Sequence, residues 1–411
     1  MAEPRDRAEG QANFWPDFFR RRVVANIEYW LKEIKDADQP GPILARDREN
    51  VSKALSRALA TDGAWGPASD LLLASHRHME WEGTWHDWQR LLEIALEVSR
   101  RQADLATQAA LLDRLGELKR NRGQVAAAAA DHDEAQQLWR QAGDEVGRAR
   151  ALANLGHACR LQGRYAQATA ALEESLALYR AHEDLDGQAI AHTNLGFVYS
   201  TQGAWAEALA HHEQAHQLSL ETGDLAGMAR AQHNMGGSLI LLSRFPEAKA
   251  CLQRAIALYE QSQAHLYQGM AAMDLGTAYL YEGQAEQAKA FYEQALEVMQ
   301  EVGYPRGMAQ VLTNLGWVCL QLRTYELAED YSRQAVARWR ELDQPLSQVN
   351  AGDNLAVAHL KQGNWQAAAE VLTRALDLLD GLEASPRTQN LRQEIEEHLD
   401  QARAGLKGDK T

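Results

Sequence analysis

A side-chain amide that recurs at a fixed interval is the clearest chemical signal in this chain. Asn154, Asn194, Asn234, Asp274, Asn314 and Asn354 stand 40 residues apart. An Asn amide offers donor and acceptor, so it can pair with the C=O and the N–H of one residue of an extended peptide. Asn is also a poor mid-helix residue, by up to about 0.7 kcal/mol relative to Ala, because its side chain competes for backbone hydrogen bonds. Keeping it in five of these six places needs a compensating use. One use is to grip a ligand's backbone. The other is to bond a neighbouring repeat and fix its geometry. The two are compatible.

Other chemistry is sparse. No Gly-x-x-x-x-Gly-Lys-Ser/Thr phosphate loop and no Gly-x-Ser-x-Gly elbow occurs, and residues 405–411 have phosphate-loop residue types without the spacing. His212 and His216 lie one helical turn apart with His211 beside them, but a structural metal wants four ligands and no others converge in sequence. His76 and His78 are two apart and diverge on a helix. Cys159, Cys251 and Cys319 are odd in number and widely spaced, which reads as reduced, buried thiols in a cytoplasmic protein. Carboxylates such as Glu173-Glu174 and Glu396-Glu397 sit where solvated helix faces are expected. No catalytic residue, metal or cofactor is expected.

The elements that must position the amides share their period. Each ladder residue is followed by Leu or Met, then by Gly156, Gly196, Gly236, Gly276 and Gly316, with Ala356 closing the series. A second phase runs Gly83, Gly123, Gly163, Gly203, Gly283 and Gly363, with Ser243 and Arg323 as departures. Ala128, Ala168, Ala208, Ala248, Ala288, Ala328 and Ala368 make a third, and Ala95, Ala135, Ser175, Ala215, Ala255, Ala295, Ala335 and Ala375 a fourth. A fixed period of this size means stacked repeats. Eight units fit, from about residue 67 to about 383, the first divergent. Each reads as two helices, here called A and B. In the third unit these are 148–162, stopped by Gly163, and 165–181. Gly156 and Ala168 let the two backbones approach closely. No strand-like alternation of useful length appears, so the class is all-α.

Leu-Gly on helix A, Gly-Arg-Tyr at the turn and Ala then Ala-Leu on helix B resemble the tetratricopeptide repeat (TPR). The common form repeats at 34 residues. This longer form is similar to that of kinesin light chains and of bacterial signalling regulators. The resemblance covers roughly three-quarters of the chain. It implies a right-handed α-solenoid of about eight repeats with helix A on the concave side. It also implies that Asn154, Asn194, Asn234, Asn314 and Asn354 hold an extended peptide. It departs where Ala74 and Arg114 occupy the ladder position.

Residues 1–66 do not follow the repeat. Pro16 is expected in the first turn of an amphipathic helix running to about Ile34, and Pro40 and Pro42 break the chain after it. Phe14, Trp15, Phe18, Phe19, Tyr29 and Trp30 make this segment aromatic. With residues 46–55 it resembles the segment joining the ATPase core of STAND-type signalling NTPases to their sensor repeats. The alternative is a plain cap on the first repeat. Residues 67–385 form the solenoid. Residues 386–404 read as a polar capping helix and 405–411 as a frayed tail.

Charge narrows the partner. Lys and Arg number 42 against 57 Asp and Glu, a net charge of −15 that argues against a nucleic-acid partner. No stretch approaches a membrane span, and residues 1–13 are too polar for a secretory signal, so a cytoplasmic location is expected. One turn before the ladder lie Arg150, Ile190 and Arg230, and three residues after it His157, Phe197 and Trp317. With Arg114 and Arg160 these suggest a groove that is basic in its N-terminal half, favouring an acidic ligand. Trp317, Leu320 and Leu360 would make the other half apolar. In the alternative reading Arg150 and Arg230 pair with neighbours such as Asp186 or Glu221. The function read from sequence is a non-enzymatic module that binds a peptide or protein segment, as sensor or scaffold in a bacterial signalling system. Its rivals are a scaffold that self-associates through its ends or convex face, and a small-ligand or quorum-peptide receptor.

Overall fold

The structure is a computed structural model that describes residues 4–36, 40–79 and 85–408, with side chains at 17–36, 46–75 and 86–407. Every element among them is a helix. The chain opens with α1 (Pro4–Asp36) and α2 (Pro40–Leu59). Helix pairs follow: α3 (Trp65–Met79) with α4 (Trp85–Arg101), α5 (Leu105–Asn121) with α6 (Val125–Ala142), and α7 (Glu145–Leu161) with α8 (Tyr165–Ala181). Then come α9 (Leu185–Thr201) and α10 (Trp205–Thr222), α11 (Leu225–Leu241) and α12 (Phe245–Gln261), and α13 (His265–Tyr281) and α14 (Ala285–Glu301). The last are α15 (Pro305–Gln321) and α16 (Tyr325–Glu341), α17 (Pro345–Lys361) and α18 (Trp365–Asp380), and α19 (Pro386–Gly408). Contacts divide the chain into two compact units, residues 1–198 and 199–411.

One turn recurs at nearly every connection. In the α7–α8 link, Gly163 (φ +74°) donates to Arg160 O at 2.9 Å and Arg164 N to Cys159 O at 2.9 Å. This 5→2 plus 6→1 pair satisfies the last carbonyls of the helix. The same left-handed residue appears at Ala103, Gly143, Glu183, Gly223, Gln263, Gly303 and Asp343, so it also closes the B helices. The true spacing of turns is therefore 20 residues, half the period of the ladder. Ser243 (φ +59°) and Arg323 (φ +59°), the departures from the glycine series, hold the conformation without glycine's freedom. The A helices start on Asp caps in the first unit: Asp104 Oδ1 accepts from Thr107 N at 3.1 Å, and Asp144 and Asp184 accept from Gly147 and Gly187 N at 2.8 Å. Pro305 and Pro345 open α15 and α17 instead.

The small-residue phases are packing devices. A Cβ on Gly156 would lie 2.5 Å from Leu172 Cγ and 3.1 Å from Ala168 O, so the A–B crossing excludes any side chain there. Gly276 faces Tyr292 and Ala288 O in the same way. The Ala phases on the B helices are buried throughout. A further glycine phase, Gly147, Gly187, Gly227 and Gly307, carries no mark in the sequence reading, yet each would clash with a side chain of the preceding B helix or its link.

In unit 1, Val23, Ile27, Trp30 and Ile34 make one buried stripe of α1, which packs on α2 and α3. Leu71, Leu72, Trp88 and Leu92 continue that core. In unit 2, consecutive A helices touch (α11 with α13, α13 with α15, α15 with α17), whereas consecutive B helices do not, among the described residues. The A helices are thus the tighter layer.

Three expectations are corrected. Helix α1 begins at Pro4, so Pro16 lies inside it rather than in its first turn. The break expected at Pro40 and Pro42 separates α1 from α2, and both prolines stand in the first turn of α2, where a missing N–H costs little. Helix α7 starts at Glu145 because the Asp144 cap sets it. Helix α19 continues to Gly408, with Gly405 against Trp365, so the fraying expected from 405 does not occur over those residues. Gly83 and the side chains of Phe14, Trp15, His76 and His78 lie outside the described residues, as do residues 409–411 of the expected tail.

Candidate functional site

From α7 to α15 the ladder residues are half-buried on the more accessible line of each A helix, and in α17 Asn354 is buried. In α7 that line runs Arg150, Asn154, His157, Leu161, exposed at its ends and half-buried in the middle. In α11 it runs Arg230, Asn234, Gly237, Leu241 with the same profile. This is the burial pattern of a groove floor seen along a helix, with i, i+4 and i+7 on one face.

The amides are not equivalent. Asn354, only 8% exposed, donates through Nδ2 to Thr313 O at 3.2 Å, tying α17 to α15. Asp274 accepts from His233 Nε2 at 2.9 Å, tying α13 to α11. Asn314 Oδ1 accepts from Gln310 on its own helix at 3.2 Å. Asn154 Nδ2 reaches Glu117 Oε1 at 3.5 Å. Asn194 is half-buried on α9. The Nδ2 of Asn234 is buried and has no partner among the described residues. Part of the ladder therefore fixes repeat geometry, and part keeps its hydrogen-bonding capacity.

Unit 1 gathers the basic residues. Arg114 is paired with Glu117 at 3.0 Å. Arg150 stays about half exposed, its Nε 3.8 Å from Asp113 and its guanidinium 5.7 Å from the Trp139 ring centroid, so its acid is Asp113 and not Asp186. Arg160 lies 5.7 Å over the Phe197 ring. Burial, then Arg120 and Arg160, push the His157 pKa down to about 4, so His157 is a neutral groove residue near pH 7. In unit 2, Arg230 is exposed at the start of the α11 line.

A buried group that the repeat pattern does not single out contacts Arg150. Asp113, 1% exposed, accepts from Trp139 Nε1 at 3.2 Å and meets His132 Nδ1 at 3.1 Å. Gly116 makes room for the His132 ring, which would stand 2.6 Å from a Cβ there. The hint was an Asp one residue before the ladder position of α5, where α7 has Ala153.

Unit 2 contains a cleft of about 320 Å³ on the A-helix side. Asn314, Trp317, Asn350 and Asn354 line it with Thr277 and Tyr281, and α19 closes it with Leu391 and Glu394. Trp317 is 45% exposed. Leu320 and Leu360, expected here, are core residues instead, because six positions past the ladder the side chain turns into the helix pair. The cleft has mixed apolar and polar walls, and it carries Asp353 and Glu394 with no Lys or Arg in its lining. Asp353 also accepts from His398 Nδ1 at 2.7 Å, which holds α19 on α17 and raises the His398 pKa.

His212 is buried with its pKa pushed down to about 4 by burial and then His211, and His216 meets Gln232 at 2.8 Å. Among the described residues no group of three or more His, Cys, Asp or Glu converges to hold a metal ion, and no helix is long and apolar enough to cross a membrane. All three cysteines are buried, and burial pushes each thiol up.

Comparison places this geometry. The model of the tetratricopeptide repeat matches residues 107–181, 187–261 and 267–341, and a second model of that description matches 353–384. No curated protein matches the sequence. The apo form of RapI is similar with a TM-score of 0.60 at 13% identity, over 87% of this chain and 97% of that one. A signal transduction ATPase with numerous domains (STAND) that has a tetratricopeptide repeat sensor, from Pyrococcus horikoshii, gives 0.67 at 13% identity, over 92% of this chain and 55% of that one. The apo form of the quorum sensor NprR from B. thuringiensis gives 0.57 at 12% identity, over 88% and 99%. At these identities the likeness is one of fold.

Proposed function

The chain belongs to the tetratricopeptide repeat family, and from that premise we propose that it is a non-catalytic module that binds an extended peptide or protein segment along its A-helix face, as the sensor or scaffold of a signalling system. The observation that carries this reading is Asn234. A buried, unpaired amide donor costs about 1–3 kcal/mol, and on the same line of α11 Gly237 leaves free space, where an added Cβ would meet nothing within 4 Å. Turning the Asn234 side chain toward that space would let a peptide carbonyl satisfy it.

The unit 2 cleft supports the same use. With Asn314 Oδ1 and Asn354 Nδ2 engaged internally, the unused groups are a donor on α15 and an acceptor on α17. Neighbouring helices lie roughly 8–10 Å apart and an extended chain advances about 3.3 Å per residue, so successive amides would meet roughly every third residue. Exposed Trp317 offers one apolar side chain a surface. The charge of each unit bears on the ligand: the arginines of unit 1 suit an acidic stretch, and Asp353 and Glu394 in unit 2 suit a neutral or basic one. That a STAND protein and a quorum sensor carry this fold favours a sensor role over a structural one.

A peptide-library pull-down comparing the wild type with Asn194→Ala/Asn234→Ala tests the reading. Loss of captured peptide at an unchanged melting temperature supports it. Capture that is undiminished, or a double variant that merely unfolds earlier, refutes it. Light scattering that finds a concentration-dependent assembly would favour the self-associating scaffold.

A further inference from the structure

The position two residues before the ladder turns roughly 200° away from it around the A helix. It is occupied by Leu112, Leu152 and His192 in unit 1 and by Gln232, Ala272 and Leu312 in unit 2, all buried. In α17 it is Gly352. A Cβ there would find only Val371, at 3.8 Å. The missing side chain leaves a pocket of about 290 Å³ between α16, α17 and α18. Val349 and Val371 form part of its floor, and Arg333, Arg340 and Arg374 stand at its lining. Arg333 is engaged by Glu329 and, at 3.9 Å, by Asp330. Arg340 and Arg374 are exposed and have no ion pair among the described residues.

We infer that this pocket is a binding site for a small carboxylate with an apolar tail. The space left by the glycine accepts roughly ten water-sized groups, enough for a short aliphatic chain. The apolar floor takes the tail, and two unpaired guanidiniums take the head in a bidentate or shared arrangement. The lining holds three arginines and no Asp or Glu, which favours an anion even on a protein of net charge −15. The site is separate from the ladder face and does not depend on peptide binding there.

Calorimetric titration of the full chain with octanoate tests the inference, with octanol and octylamine as neutral and cationic controls. Octanoate binds with one site per chain and at least tenfold tighter than either control. Gly352→Leu, which restores the residue of α5, α7 and α15, abolishes binding. Arg340→Gln/Arg374→Gln, on exposed side chains that leave the fold intact, weakens octanoate at least tenfold and leaves octanol unchanged. No binding of octanoate, equal binding of octanol, or binding that survives the double arginine variant each overturns it.

Discussion

The amide of Asn354 donates to the carbonyl of Thr313 at 3.2 Å, across 41 residues of sequence, while the amide nitrogen of Asn234 three repeats earlier is buried and meets nothing. The same residue type at the same phase thus does opposite things. Removing the first side chain loses the tie to α15 while Thr313 O, inside that helix, keeps its backbone partner, so Asn354→Ala lowers stability by about 0.5–1.5 kcal/mol. Asn234→Leu removes an unsatisfied donor and leaves stability unchanged or raises it by up to about 1 kcal/mol. Denaturant unfolding of the two variants checks the contrast, and equal losses would show that Asn234 is paired in solution.

Glycines in the A helices divide by what lies opposite. Gly156→Ala puts a Cβ 2.5 Å from Leu172 Cγ, and the resulting overpacking costs about 1–3 kcal/mol. Gly237→Ala meets nothing within 4 Å and gains helix propensity, up to about 1 kcal/mol. The melting temperatures of the two variants move in opposite directions, and a shared direction would mean that the helix crossing adapts.

The turns offer a second stabilising change. Ser243 and Arg323 hold φ near +59°, where glycine is unstrained. Ser243→Gly and Arg323→Gly each raise stability by about 0.5–1 kcal/mol, net of glycine's larger unfolded-state entropy. Gly163→Ala, at φ +74°, lowers it by a similar amount. Chemical denaturation midpoints at constant slope measure all three.

Two histidine groups give stability opposite pH dependences. His157 and His212 have pKa values pushed down to about 4, so the unfolded chain takes up their protons first as pH falls. Their contribution is complete above about 6.5 and is lost as pH drops toward 4. His157→Gln flattens the acid limb of the melting curve in unit 1. His398 is raised by its hydrogen bond to Asp353, so its contribution is complete below the unfolded value and fades as pH rises through the folded one. Hydrogen exchange in α19, corrected for intrinsic rate, is faster at pH 8.5 than at pH 6, and His398→Gln removes the difference. A pH-independent wild-type profile would remove the clamp from this account.

Several levels of this structure were legible in residues alone. The 40-residue period, the helix pairs, the positive-φ turns and the close A–B crossing follow from local rules, because glycine, alanine and turn chemistry act over a few neighbours. The ladder's place on the accessible line of the A helices followed from the same periodicity. Its division into bonded and unbonded amides did not, since that depends on whether Thr313 O or Gln310 comes within reach. The glycine phase from Gly147 to Gly307 was hidden because its partners sit on the preceding B helix or in the link that follows it.

The chain's own order of residues determined that it would be a stack of helix pairs and where each pair would turn. Tertiary packing decided which polar groups were left unspent: the Asp113–His132–Trp139 group was drawn inside, Leu320 and Leu360 were taken into the core, and Gly352 opened a pocket. Periodicity assigns a side chain to a face, but only the neighbouring helix, fixed by packing, determines whether that face is filled.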